Sequence, residues 1–73
     1  MTPPIIHLIA RKYHLTVSDI TGPSRSKGDL MQARHLAANA LYEHGGYRIC
    51  EIASILNKDP TTIRYALQRG GNL

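Results

Sequence analysis

Between Ile49 and Arg69 two apolar stripes at helical period are separated by a break that no single helix can cross. Ile49, Ile52, Ala53 and Leu56 stand at i, i+3, i+4 and i+7, one face of a helix. Asn57 and Lys58 interrupt the pattern. Asp59 then offers an N-cap and Pro60 the first helical position, where its missing N–H is no loss. A second helix follows with Ile63, Ala66 and Leu67 on its inner face. Thr61, Thr62, Arg64, Tyr65, Gln68 and Arg69 are left on its outer face. The stretch therefore predicts a helix–turn–helix over about 49–69.

Hydroxyl, amide and guanidinium groups on the second helix of such a pair suit base edges in a DNA major groove. Any surface helix also carries polar groups outside, so the rest of the chain has to weigh in. The 73 residues hold nine Lys and Arg against five Asp and Glu, a net charge of +4. That excess on one small domain favours a polyanionic partner. Four tyrosines are the only aromatic residues, so the core has to come from Ile, Leu and Ala.

Further along the chain, Thr2 is expected to cap a first helix from about Pro3 to His14, with Ile5, Leu8, Ile9 and Tyr13 as its stripe. Thr16 and Asp19 have capping-box spacing and open a short helix through Ile20, stopped by Thr21-Gly22-Pro23. A basic loop over 21–28 carries Arg25 and Lys27 and is suited to a phosphate or a minor groove. Ser26 and Asp29 have capping-box spacing ahead of the longest helix, about Lys27 to His44. Its stripe is Leu30, Ala33, Ala37, Ala40 and Leu41, widened by Leu36, with Arg34 and His35 beside it. Gly45-Gly46 ends that helix, and Gly70-Gly71 caps the last one. The fold class is all-α, a single small domain of five helices over 1–73.

Other functions find little support. His7, His14, His35 and His44 are dispersed, and with Cys50 they give no metal-ligand spacing. No paired carboxylates or Gly-rich phosphate loop point to catalysis, so neither an enzyme nor a cofactor is expected. Cys50, beside the Ile49/Ile52 stripe, is expected to be a partly buried thiol. No apolar run is near the roughly 18 residues of a membrane span and no leader is seen, so a cytoplasmic, nucleoid-associated protein is expected. A small-molecule substrate is not expected either.

The segments RKYHLTVSDI, ARHLAANAL and EIASILNKDPTTIRYAL, taken with the basic loop, resemble the C-terminal DNA-binding domain of the bacterial replication initiator DnaA, a fold related to the Trp repressor. The resemblance runs from about Ile5 to Arg69. It implies double-stranded DNA as partner, with Arg25 in the minor groove and Lys58, Asp59, Thr61 and Thr62 at bases in the major groove. It also makes Arg34, in Ala33-Arg34-His35, a backbone contact. The family's signature arginine is here Lys58 and its histidine is Pro60, and the turn before Lys58 is one residue shorter. Lysine cannot grip guanine in the bidentate manner of arginine, which argues against the family's usual nine-base-pair box.

Combining residues and resemblance, base readout is assigned to Arg25, Lys58, Asp59, Thr61, Thr62, Arg64 and Tyr65. Phosphate contacts are assigned to Lys27, Arg34, Arg48, Gln68 and Arg69. Because these 73 residues contain no ATPase motif, the first expectation is the DNA-binding module of a transcription regulator. A replication-linked factor, working with other transcription or replication proteins, is the alternative. A protein-interaction domain that has lost specific DNA binding is the reading from another class.

Overall fold

The computed structural model describes residues 3–22 and 28–73. Among the described residues five helices succeed one another: α1 (Pro4–Lys12), α2 (Val17–Thr21), α3 (Asp29–Glu43), α4 (Ile49–Leu56) and α5 (Pro60–Arg69). No strand occurs among the described residues. The expected helices are all present, and their ends show why they stop where they do.

Three of the helices close with the same motif. His14, Asn57 and Gly71 each take a left-handed φ, of 56°, 56° and 81°. The residue after each donates back to the last helical turn: Leu15 to the Ala10 carbonyl at 2.8 Å, Lys58 to Ala53 at 2.9 Å, Asn72 to Leu67 at 2.9 Å. These are Schellman caps, which satisfy carbonyls that a helix end otherwise orphans. At the end of α3 the positive φ, 69°, belongs to Gly46. The capping box of α2 is formed as expected, Thr16 N–H donating to Asp19 Oδ2 and Asp19 N–H to Thr16 Oγ1, each at 3.0 Å.

Some boundaries and faces differ from expectation. The N-cap of α1 is Pro3, with no side-chain bond, and Thr2 lies outside the described residues. The long helix begins at Asp29, with Gly28 at its N-cap in a φ of 58°. Ser26, expected to cap it, lies outside the described residues. On α1 the buried residues are Ile6, Ile9 and Ala10, while Leu8 is 63% exposed. The face is turned relative to the expected stripe because Ile6, one position after Ile5, points at the helices packed on it. Cys50 is exposed, since it stands one position off the Ile49/Ile52 stripe and α4 turns it outward.

The core joins α1 and α2 to α3, and α3 to the α4–α5 pair. Its most enclosed side chains are Ile6, Ile20, Leu41, Ile52, Leu56, Ile63 and Leu67, each contributing on the order of 1.5–3 kcal/mol by leaving water. Ala33, Ala37 and Ala38 on α3 have no exposed surface. Side chains that small let neighbouring backbones approach the middle of α3 closely. Arg48, at the N-cap of α4, has its main-chain N–H held by Glu51 Oε1 at 2.9 Å, half of a capping box.

Candidate nucleic-acid interface

The turn of the helix–turn–helix is built by Asn57. Its left-handed φ of 56° reverses the chain after α4, a conformation that Asn tolerates better than most residues. Asp59 follows with φ −68° and ψ 146°, and Pro60 starts α5. Asp59 holds the N-cap position, but its carboxylate makes no cap hydrogen bond. It therefore stands at the positive end of α5 with its oxygens outside the cap.

The two faces of α5 separate cleanly. Ile63, Ala66 and Leu67 are at most 2% exposed, whereas Thr61, Thr62, Arg64, Tyr65, Gln68 and Arg69 are all exposed. On the outer face Arg69 Nη1 donates to the Tyr65 hydroxyl at 3.1 Å, with its guanidinium 5.6 Å from the ring centroid. Tyr65 is 53% exposed, so it forms part of the presented surface rather than packing at the helix end. Arg48 is exposed at the start of α4.

Lys58 is half-buried. Burial first, then the nearby Arg34 guanidinium, hold its pKa below the usual lysine range. It lines a small apolar cleft between α3 and α5 with Met31, Arg34, His35, Leu56, Thr62, Ile63 and Ala66. Lys58 and Thr62 are thereby brought together, and Met31 and His35 of α3 join them. Met31, 43% exposed, escaped the sequence assignment. Its only signal was its place three and four residues before Arg34 and His35, on the same helix face. His35 is half-buried, and its pKa lies below the ordinary value because of burial and then Arg69.

Arg34 corrects the assignment made for it. It is 4% exposed. Its Nε donates to the Ile20 carbonyl at 3.0 Å, and its Nη2 to the Asp19 carbonyl at 2.7 Å and the Gly22 carbonyl at 3.0 Å. A guanidinium enclosed in this way tends the carbonyl end of α2 from inside the fold, and a surface phosphate contact is not its place. Arg25 and Lys27 lie outside the described residues.

Five helices among the described residues, the last two joined by a short turn and the last polar and basic outside, define a helix–turn–helix DNA-binding domain. A family model described as the bacterial dnaA protein helix-turn-helix matches residues 3–69, and the chain belongs to that family. No curated protein and no solved structure matches it. Among the described residues, no helix is long and apolar enough to cross a membrane.

Proposed function

We propose that this domain reads a specific duplex sequence in a replication-linked setting, at or near an origin. The observation that carries the reading is the division of α5: three side chains at most 2% exposed inside, and six exposed polar or aromatic ones outside. Seated in the major groove, α5 directs Thr61, Thr62, Arg64 and Tyr65 at base edges, with Lys58 and Asp59 at its leading end. The threonine methyls meet thymine methyls, and Arg64 meets guanine acceptors. Arg25 reads the flanking minor groove, while Lys27, Arg48, Gln68 and Arg69 engage phosphates. Membership of a replication-initiator family favours this setting over the transcription regulator that the sequence first brought to mind.

Selection of a randomised duplex library, with an Arg25→Ala/Thr61→Ala double variant as control, tests the reading. A defined motif that the variant loses supports it, and enrichment of bulk A·T content alone overturns it. Lys58 and Pro60 in place of the family's arginine and histidine keep the protein-interaction reading in play. Salt dependence separates the two. The three cationic phosphate contacts, Lys27, Arg48 and Arg69, give a slope of about −2.7 of log K against log salt concentration, and an interaction domain gives none.

A further inference from the structure

The geometry points to Arg34 as a positioning residue for DNA recognition, one that sets where the chain departs from α2 towards Arg25. α2 has only five residues, so most of its carbonyls lack a partner within the helix. Arg34 reaches from α3 to three of the carbonyls at that end, those of Asp19, Ile20 and Gly22. A cation at the negative end of a helix is favourable, and the planar fork of arginine serves several carbonyls at once. Gly22 is the last of them, and the segment 23–27 with Arg25 follows directly.

Gly22 is itself tightly seated. A Cβ there would stand 2.6 Å from the Ser18 carbonyl oxygen, too close for any larger residue to keep this path. α3 also carries α5: Asn39 Nδ2 donates to the Ala66 carbonyl at 3.1 Å. One helix thus holds both the departure point of the loop and the major-groove helix. Arg34 converts the packing of α3 into a fixed offset between Gly22, where the chain leaves α2, and α5. Preset geometry of this kind lowers the ordering that binding otherwise demands. The inference rests on the proposed entry of Arg25 into the minor groove.

The test uses the whole domain and its selected duplex, with adenines of the flanking A·T tract replaced by 2,6-diaminopurine. That base adds an amino group in the minor groove and leaves the major-groove edge of adenine unchanged. The wild-type domain is expected to lose affinity about tenfold on this substitution, the scale of one base contact. Arg25→Ala should show no such loss. Arg34→Lys keeps the charge and should behave like Arg25→Ala, while still discriminating against mutated base pairs under Thr61 and Thr62. A full diaminopurine penalty in folded Arg34→Lys overturns the positioning role and leaves the minor-groove reading intact. A wild-type domain indifferent to diaminopurine overturns the minor-groove reading, and the positioning role with it. Should Arg34→Lys fail to fold by circular dichroism, Gly22→Ala replaces it, displacing the departure point and with it the carbonyl that Arg34 holds there. Loss of the penalty in that variant supports the role, and its retention overturns it.

Discussion

Asn39 Nδ2 donates to the main-chain carbonyl of Ala66 at 3.1 Å, bridging the middle of α3 to the last turn of α5. The same amide donates to the His35 carbonyl at 2.8 Å, and its oxygen accepts from the Asn72 side chain. Gly70 lies against it so closely that a Cβ would fall 2.1 Å from Asn39 Oδ1. Gly70→Ala should therefore drive the Asn39 amide off Ala66. Each of Asn39→Ala and Gly70→Ala is expected to destabilise the domain by about 1–3 kcal/mol. In urea unfolding the double variant should be clearly less destabilised than the sum of the two, because both break one contact. Simple additivity would separate the two residues energetically.

On the outer face of α5, shape and charge should divide by experiment. Thr62→Ala is expected to weaken binding to the selected site by roughly 1–3 kcal/mol and to relax selectivity at one base pair, with the salt slope unchanged. Arg69→Ala should weaken binding to all duplexes alike and make the slope shallower by about 1. Titrations at several salt concentrations measure both. A Thr62→Ala variant with unaltered selectivity would remove that residue from base readout.

His35 gives the fold a pH dependence of determined sign. Its pKa in the folded domain lies below the ordinary 6.5, through burial and then Arg69. The unfolded chain therefore binds the proton more readily than the folded one. The stabilising effect of neutral His35 is complete above about pH 6.5 and fades as pH falls from there through the lower folded value. Melting temperature should decline over that interval in the wild type and less so in His35→Gln. Identical pH profiles for the two proteins would assign the effect elsewhere.

The Schellman caps differ in the residue asked to adopt a left-handed φ. His14 and Asn57 share a φ of 56°, but histidine is the bulkier and less suited. His14→Gly is expected to stabilise by roughly 0.5–1 kcal/mol, the relief at a left-handed position exceeding the entropy glycine adds to the unfolded chain. For a domain of this size that is a rise of a few degrees in melting temperature. Asn57→Gly should change stability less, and thermal denaturation of the two variants side by side decides it.

What the sequence determined by itself is short-range. The break at Asn57–Asp59, the start of α5 at Pro60, the Thr16/Asp19 capping box and the inner face Ile63/Ala66/Leu67 are all present as read. Each depends on residues within about one helical turn of one another, where spacing alone settles which groups meet. Only the tertiary structure decided the rest. Arg34 is buried because carbonyls 12 to 15 residues earlier come round to receive it, and nothing beside it on α3 announces that. Met31 and His35 reach the rim of Lys58 and Thr62 only through the angle at which α3 crosses α5. Leu8 and Cys50 face outward for the converse reason, that among the described residues no other helix covers them. A helix's period defines its possible faces, and the arrival of distant partners selects which face is covered.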